Sequence, residues 1–305
     1  MEYLWGIDLG GTKAECVVLD AAADHRVIIR ERIPTEATKG YNHVLSQIKT
    51  LIEQTSDKAG IRPERLGMGT PGSIDPDTGM LKNSNSIILN GMPFKKDIED
   101  VLHIPVIIAN DANCFALAET KMGAIPKYCP DAKVVFGVII GTGVGGGVVV
   151  DGNVINGRHG IAGEWGHNFL DVNGGSCYCG KTGCVETLIS GSALEKYYEQ
   201  STGSKRKLKE IAERYEEGTD HVAIETMKRL IHFFGLGLSC IVNILDPDII
   251  VIGGGVGNLG ILYTEGVKET EKYVFNTNFH TIIKKPVLGD SAGVFGAAFL
   301  TASHP

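Results

Sequence analysis

The sequence lacks an excess of positive charge. It has 29 Lys and Arg residues against 36 Asp and Glu residues, which gives a net charge of −7. Proteins that bind nucleic acids or anionic membranes concentrate basic side chains on one face. The charge balance therefore gives no electrostatic case for DNA, RNA or a membrane as a partner.

Long apolar runs and targeting signals are also missing. No apolar run reaches about 18 uninterrupted residues, the length that predicts a transmembrane helix. The first residues, MEYLWGIDLGG, show no signal-peptide pattern. The seven cysteines form an odd count, and Cys16, Cys114, Cys129 and Cys240 are scattered through apolar segments. Reduced thiols and a cytoplasmic location are therefore expected, and 305 residues suggest about two domains.

Glycine is abundant, and many of the 40 glycines follow predicted buried strands. Gly10 and Gly11, with Thr12 and Lys13, form a turn that is either an ordinary hairpin or a phosphate cradle. Neither the spacing nor the context is that of a Walker loop. Five glycines between 141 and 147 favour phosphate contact, and 253–255 is a third glycine turn. The repeated order strand, glycine turn, strand predicts two related halves.

Asn110 and Asp111 lie between a predicted buried strand at 104–108 and a predicted helix at 114–122. Either residue could simply cap the helix. Alternatively, Asp111 is a general base for a substrate hydroxyl, since ligand sites in α/β proteins lie where strands lead into helices. Upstream, the loop 82–91 is rich in asparagine, which favours turns but can also bind sugar hydroxyls.

The segment 157–186 concentrates metal-binding side chains. His167, Cys177, Cys179 and Cys184 fall within 18 residues. Three thiolates and one imidazole suit a closed, tetrahedral structural zinc site. The competing interpretation is a disulfide with a spare thiol. The spacing is not that of a zinc finger, so nucleic-acid binding does not follow.

Together these motifs resemble the ROK family of sugar kinases, within the actin, Hsp70 and hexokinase superfamily. The resemblance implies an α/β, two-domain, ribonuclease H-like fold with a ligand cleft between the domains and a structural zinc loop. We expect one domain at 1–115 plus 290–305 and the other at 116–289. The matching motifs are, in family order, Asp8–Lys13, Gly69–Ile74, Asn110–Glu119, Gly141–Gly147, Gly160–His167, Cys177–Glu186 and Asp246–Val256.

The resemblance also implies site residues. Asp8 would act near a Mg²⁺ ion that accompanies ATP, Asp111 would be the catalytic base, and His167 would bind zinc with one ring nitrogen and face the sugar with the other. The implied nucleotide-binding residues are Asp8, Gly10, Gly11, Thr12, Lys13, Thr142, Gly143, Gly254 and Gly255. The implied sugar-binding residues are Gly72, Asn85, Asn110, Asp111, Glu164, His167 and Glu186. The implied zinc ligands are His167, Cys177, Cys179 and Cys184.

The implied activity is transfer of the γ-phosphate of ATP to a hexose hydroxyl, expected to be O6. Motifs at 72–79, 82–91 and 164–168 look most like the bacterial mannofructokinase branch, which favours fructose or mannose. The stretch 110–118 is also close to the N-acetylglucosamine kinase branch, and glucokinases share the same base. A homo-oligomer, with a dimer as the family precedent, is expected.

Two other classes of protein share parts of this pattern. ROK transcriptional repressors carry an N-terminal helix-turn-helix, for which we expect no room because the first glycine turn follows residue 8. An Hsp70-like chaperone ATPase would lack the zinc motif and need a peptide-binding domain. Neither is the expected function.

Overall fold

The structure is a computed structural model that describes residues 3–302. The strands are β1 Tyr3–Leu9, β2 Lys13–Asp20, β3 Arg26–Pro34, β4 Leu66–Thr70, β5 Ser73–Ile74, β6 Leu81–Lys82, β7 Val106–Asn110, β8 Val134–Ile140, β9 Val144–Val150, β10 Asn153–Val154, β11 Ile249–Gly253 and β12 Ile282–Lys284. The α-helices are α1 Tyr41–Ala59, α2 Phe94–Leu102, α3 Asp111–Met122, α4 Ala124–Tyr128, α5 Glu186–Ile189, α6 Gly191–Thr202, α7 Leu208–Glu217, α8 His221–Leu245, α9 Gly254–Gly257, α10 Glu265–Glu271 and α11 Ala292–Leu300.

The chain forms two compact units. The described part of unit 1 comprises 3–126, 147–162 and 287–302, and unit 2 comprises Lys127–Gly146 and Gly163–Pro286. The predicted domain boundaries differ from those of the two units. The prediction assigned 116–126, 147–162 and 287–289 to the second domain, whereas these residues belong to unit 1. Residues 1, 2 and 303–305 of the predicted first domain lie outside the described residues.

Contacts of α3 explain why some of these segments belong to unit 1. The Glu119 carboxylate is fully buried. Its Oε2 accepts a hydrogen bond from the Val287 amide and its Oε1 accepts one from the Leu288 amide, both at 3.0 Å. A side chain on Gly147 would lie 2.6 Å from the Ala112 carbonyl oxygen. The backbone of β9 therefore packs directly against the start of α3.

Unit 1 is built on a five-stranded sheet of order β3-β2-β1-β4-β7. β1 and β2 form an antiparallel hairpin, whereas β1–β4 and β4–β7 are parallel pairs. Helix α1 buries Val44, Ile48, Leu51 and Ile52, the side chains whose helical spacing predicts it. These side chains join the core cluster formed by the first strands and α2.

Helix α11 packs on the unit 1 sheet at very short distance. A β-carbon added to Gly67 would lie 1.8 Å from the Ala297 carbonyl oxygen, and one added to Gly6 would lie 2.4 Å from the Ala298 amide nitrogen. Both glycines are therefore required by backbone-to-backbone packing. The sequence AGVFGAAFL of α11 supplies the small side chains on the other side.

Unit 2 contributes to a second five-stranded sheet, of order β10-β9-β8-β11-β12. As in unit 1, the strand that precedes the glycine turn pairs in parallel with a later strand, here β8 with β11, and β11 pairs in parallel with β12. The two sheets have the same layout, as the repeated strand–turn–strand pattern predicts.

Helix α8 is the long helix of unit 2, and its bounds confirm the helix that the apolar pattern of the sequence predicts at 221–245. Within residues 3–302 it alone is long and apolar enough to cross a membrane by length and composition, and half of its apolar window is buried inside the protein. It contacts α6, α7 and α10, and Leu230, Phe234 and Leu238 are fully buried. These contacts are those of a core helix.

Several predicted element bounds were wrong. The sequence predicts a strand at 148–150, but β9 begins at Val144. The helix predicted at 114–122 begins at Asp111, and the strand predicted at 281–288 is reduced to the three residues of β12. The helix expected at 261–275 is a 3₁₀ turn at Gly260–Tyr263 followed by α10. Helix α2 was not predicted, although Phe94 and Ile98, which it buries, have helical spacing.

Substitution of Gly67 by alanine should destabilise unit 1. Because the new β-carbon would overlap the α11 backbone, we expect the free energy of unfolding to fall by about 3 kcal/mol or more. Urea unfolding of the purified variant measures this change. Gly260→Ala is the matched control, since nothing lies within 4 Å of its added β-carbon. A Gly67→Ala protein as stable as this control would contradict the close packing of α11.

Candidate active site

The first glycine turn connects β1 to β2 in unit 1. Gly11, Thr12 and Lys13 are exposed. The Gly10 amide donates to the Lys13 carbonyl at 2.9 Å, and Thr35 Oγ1 donates to the Gly10 carbonyl at 2.8 Å, which fixes the turn. In the described part of the chain the amides of Gly11 and Thr12 donate to no protein acceptor. The turn thus presents free N–H groups of the kind that bind phosphate oxygens.

Asp8 lies at the end of β1, next to this turn. Burial first, and then the charges of Asp111 and Glu15, raise the pKa of Asp8 to about 6, whereas Lys13 and Arg32 lower it. Gly293 allows the backbone to approach the Asp8 carboxylate, because a β-carbon on this residue would lie 3.0 Å from Asp8 Oδ2. Unit 1 therefore holds two acidic side chains close enough to influence each other.

Asp111 is the first residue of α3, directly after β7. The Asn110 side chain caps the helix by accepting from the Ala112 amide at 2.9 Å, and Asp111 Oδ1 accepts from the same amide at 2.7 Å. Asp111 is exposed at the surface, yet protein atoms crowd its carboxyl. Their desolvation of the carboxyl raises its pKa, and the hydrogen bond from the Ala112 amide lowers it in part. Asn110 thus has the capping role, and Asp111 presents an accessible carboxylate.

The loop after β4 lies against Asn110. Gly72 has a φ of 108°, and a β-carbon there would lie 2.5 Å from the Lys82 carbonyl oxygen, so only glycine fits. Asn110 Nδ2 donates to the Gly72 carbonyl at 3.4 Å. In the neighbouring polar loop, the Asn90 side chain pairs with the Ser84 backbone in both directions at 2.8 Å, whereas Asn85 is exposed.

The second glycine turn, Gly141–Gly143, belongs to unit 2. Its Thr142 is exposed. Glu186 Oε2 accepts from the Val144 amide at 2.9 Å, and a β-carbon on Gly143 would lie 2.6 Å from the same oxygen. Glu186 therefore holds the turn in shape.

The remaining glycines of the 141–147 run do not form the turn, contrary to the sequence analysis. They lie in β9, and packing accounts for two of them. A β-carbon on Gly146 would lie 2.6 Å from the Gly163 carbonyl and 2.8 Å from the Trp165 ring, and Gly147 packs on α3. Only Gly141 and Gly143 remain as turn glycines.

The third glycine turn follows β11. Gly254 has a φ of 83°, and its β-carbon would lie 2.4 Å from the Ile140 carbonyl oxygen, so the backbones of β8 and α9 touch. Gly255 is exposed, with open space where a side chain would be. Unit 2 therefore presents two glycine turns at the ends of adjacent strands, β8 and β11.

The four predicted metal ligands come together in unit 2. Their donor atoms, one each from His167, Cys177, Cys179 and Cys184, all lie within 4.8 Å of one another. Cys179 Sγ and Cys184 Sγ are 3.6 Å apart, and Cys177 Sγ is 3.5 Å from His167 Nδ1. All seven cysteines are free, and the convergence of all four donor atoms favours a metal site over a disulfide with a spare thiol.

Glycine turns bring these ligands together. Gly180 and Gly183 both have positive φ, and a β-carbon on Gly183 would lie 2.0 Å from the Asp171 carbonyl oxygen. The Cys177 amide donates to the Lys181 carbonyl at 2.8 Å, which closes the turn that carries Cys179. The segment is shaped by turns and has little apolar core of its own.

Tyr178 is a site residue that sequence reasoning missed. Its hydroxyl lies 2.9 Å from His167 Nε2, the ring nitrogen outside the ligand cluster, and the two rings meet edge to face. Burial first, and then the charges of Glu186 and Glu164, raise the pKa of Tyr178 to about 12. The spacing of the motif does not reveal this contact, because Tyr178 lies between two cysteines.

Comparisons with known proteins decide the family. The model of the ROK family matches residues 4–304. The chain belongs to the ROK family. An N-acetyl-D-glucosamine kinase of Vibrio atlanticus (strain LGP32) is 35% identical, over 97% of this chain and 98% of that protein. The enzyme of the same name from Vibrio cholerae is 34% identical over the same shares.

Solved structures agree with this assignment. A ROK hexokinase from Thermus thermophilus superposes with a TM-score of 0.87 at 31% identity, over 99% of both chains. A ROK family glucokinase from Streptomyces griseus, in complex with glucose and AMPPNP, gives 0.78 at 28% identity over 99% of this chain and all of that chain. The predicted α/β fold of the ROK sugar kinases is confirmed.

The ligand cluster of this ROK protein fits zinc. Zinc–sulfur bonds of about 2.3 Å in a tetrahedron place neighbouring sulfurs about 3.7 Å apart. Cys179 Sγ and Cys184 Sγ, at 3.6 Å, agree with that spacing. Three thiolates with one imidazole leave no position for a substrate, so the ion would be structural.

We expect metal analysis of the purified ROK protein to find about one zinc per chain. Cys179→Ser removes one of four ligands, so zinc content should fall and the midpoint of thermal unfolding should drop by about 5 °C or more. Cys240→Ser is the control, because Cys240 is exposed on α8 outside the cluster. A folded wild-type protein without zinc would refute the assignment.

The raised pKa of Asp8 predicts a pH-dependent stability. The ordinary value is 3.8 and the folded value about 6, so the native state holds the proton more tightly between these pH values. The free energy of unfolding should then fall as pH rises through that window. Asp8→Asn should raise it at pH 7.5 by about 1–2 kcal/mol, after allowance for solvent screening.

Urea unfolding at pH 4 and at pH 7.5 measures this effect, and most of the gain should vanish at pH 4. Asp77→Asn serves as the control, because the Asp77 side chain is 63% exposed and should change stability by less than about 0.5 kcal/mol. Equal stability of Asp8→Asn and wild type at pH 7.5 would contradict the buried charge.

Proposed function

We propose that this ROK protein is an ATP-dependent sugar kinase that transfers the γ-phosphoryl group to a sugar hydroxyl, expected to be O6. The observation that carries the proposal is the solvent-accessible Asp111 carboxylate at the end of β7, with a raised pKa. Membership of the ROK family and the kinase names of its relatives support the reaction class.

Asp111 is the proposed base. Its Oδ1 accepts a hydrogen bond from the Ala112 amide, whereas its Oδ2 accepts none from any residue in 3–302. Oδ2 would accept the proton of the sugar hydroxyl. The raised pKa favours this step, because a stronger base takes a larger share of the proton in the transition state. The neighbouring Asn110 and Gly72 would fix the sugar, together with Asn85.

Each unit carries glycine turns that are proposed to bind nucleotide. The amides of Gly11 and Thr12, with the Lys13 ammonium, would hold phosphate oxygens in unit 1, and Thr142 and Gly143 would do so in unit 2. Gly254 and Gly255 would lie against the adenosine. Asp8 offers the oxygen ligand that suits magnesium. When bound, Mg²⁺ neutralises the charge that develops on the phosphates.

The zinc segment would contribute sugar contacts from unit 2. Glu164, His167 and Glu186 remain the proposed residues. The Tyr178 hydroxyl stands at the His167 nitrogen that we expected to face the sugar. Direct contact between His167 and the sugar therefore requires that hydroxyl to move, or to hydrogen-bond to the sugar as well.

The identity of the sugar has three candidates. The relatives named N-acetyl-D-glucosamine kinase, at 34–35% identity over nearly the whole chain, support N-acetylglucosamine better than fructose or mannose. Fructose or mannose is the second candidate, because the loops 72–91 and 164–168 look like those of mannofructokinases. A glucokinase activity is supported by the structural similarity to the Streptomyces griseus enzyme.

Cellular context follows from the same chemistry. Seven free cysteines suit a reducing compartment, which supports a cytoplasmic location. A homodimer is proposed from family resemblance alone, and sedimentation analysis would test it.

The decisive experiment is a coupled ADP assay with fructose, mannose, glucose, N-acetylglucosamine and N-acetylmannosamine. Asp111→Asn should lower kcat at least about 100-fold on the preferred sugar, because general base catalysis is lost. Sugar affinity by calorimetry should change less than about threefold. Asp220→Asn, at the N-cap of α8, is a control for helix capping and should keep its kcat. Substantial turnover by Asp111→Asn would refute the base assignment.

A further inference from the structure

The polar loop that follows β6 reaches the first glycine turn of unit 1. Apart from its own chain neighbours, a β-carbon added to Gly11 would meet one atom within 4 Å, Ser86 Oγ, at 3.3 Å. Gly11 also lacks the positive φ that favours glycine at Gly72. Neither backbone conformation nor dense packing therefore accounts for glycine at this position. Its effect is to leave space between the turn and the Ser86 hydroxyl.

The Ser86 hydroxyl has no structural role in the loop. Ser86 precedes the 3₁₀ turn Ile87–Leu89, and a serine before a helical turn often caps it with its side chain. Here the side chain forms no capping hydrogen bond. Within residues 3–302 its Oγ has no other hydrogen-bond partner either. Because Ser86 is only half-buried, its hydroxyl is open to a ligand that enters the space beside Gly11.

The backbone of the loop is fixed by other contacts. The Ser86 amide donates to Ser84 Oγ at 3.0 Å, and the Leu89 amide donates to the Ser86 carbonyl at 3.0 Å. The Asn90 side chain pairs with the Ser84 backbone in both directions at 2.8 Å. Ser84 itself is buried. These bonds hold Ser86 in place without using its hydroxyl, which is the arrangement expected of a preorganised ligand contact.

The turn close to Ser86 supplies the other donors of an anion site. The amides of Gly11 and Thr12 donate to no acceptor in the described part of the chain. A phosphate oxygen accepts hydrogen bonds from N–H and O–H groups alike, and such bonds are strong because the acceptor is charged. The Ser86 hydroxyl therefore adds a third donor, on the side of the turn that lies against the polar loop.

The chain neighbour of Ser86 indicates which phosphate it would contact. Asn85, the preceding residue, is one of the proposed sugar-binding residues of unit 1. The loop thus passes from a proposed sugar contact to the phosphate turn within one residue. The γ-phosphate is the part of ATP that must reach the sugar, so it is the phosphate expected beside Ser86.

We propose that Ser86 is a further substrate-binding residue, whose hydroxyl donates a hydrogen bond to an oxygen of the γ-phosphate of ATP. This inference rests on the proposed kinase function and deepens it, because it names a residue that distinguishes ATP from ADP. In the transfer, the sugar oxygen bonds to the γ-phosphorus, the bond from that phosphorus to the β-phosphate oxygen breaks, and Asp111 receives the sugar hydroxyl proton. Ser86 keeps its own proton and orients the group that moves.

The test measures calorimetric affinities for ADP and for AMPPNP, an ATP analogue that keeps its γ-group, both with Mg²⁺. Ser86→Ala should weaken AMPPNP binding at least about tenfold, the value of one hydrogen bond to a charged group, and should change ADP binding less than about twofold. On the preferred sugar, kcat/KM for ATP should fall by a similar factor. Ser86→Thr keeps a hydroxyl and should retain most of the AMPPNP affinity.

Ser46→Ala is the matched control, because it removes an exposed hydroxyl of α1 that donates within its own helix. Both of its affinities should equal those of wild type. AMPPNP affinity that is unchanged in Ser86→Ala, or that falls together with ADP affinity, would overturn the inference. An equal loss in Ser86→Thr would also overturn it, since the shape of the loop would then be the cause. A wild-type protein that transfers phosphate to none of the tested sugars would instead refute the proposed function.

Discussion

The hydrogen bond from the Val144 amide to the Glu186 carboxylate links the segment of candidate metal ligands to the glycine turn at Gly141–Gly143. Glu186 lies two residues after Cys184, the last metal ligand, and begins α5. Its Oε2 atom holds the start of β9 and, with it, the turn at Gly141–Gly143. The position of that carboxylate depends on the segment of candidate ligands. The backbone amides of Leu170 and Val185 donate the hydrogen bonds that hold this segment in place. The Glu186 side chain therefore connects the ligand segment to the glycine turn.

The layout of the fold was predictable from the sequence, because it depends on patterns that repeat along the chain. Buried strands show continuous apolar character, and helices such as α1 and α8 show apolar residues at helical spacing. The start of β9 was not predictable. Glycines in Gly145–Gly147 look like a loop by propensity, yet they form a strand because Trp165 and α3 pack directly on their backbone. Tertiary contact overrides the local preference there.

The candidate site likewise has some features that the sequence reveals and others that depend on the folded structure. The clustering of His167, Cys177, Cys179 and Cys184 could be predicted, since their spacing is typical of a metal site. The role of Asp111 as a base stays a prediction. The Tyr178 contact with His167 could not be predicted, because it depends on how a turn folds back.

The placement of α11 has a consequence for the order in which the protein is made. The sheet of unit 1 is complete in sequence by Asn110, but the helix that covers Gly6 and Gly67 ends at Leu300. The Glu119 carboxylate likewise waits for the amides of Val287 and Leu288. During synthesis the first half of the molecule must therefore remain open on one side until α11 has left the ribosome. A truncation within α11 would harm the part of the protein that was made first.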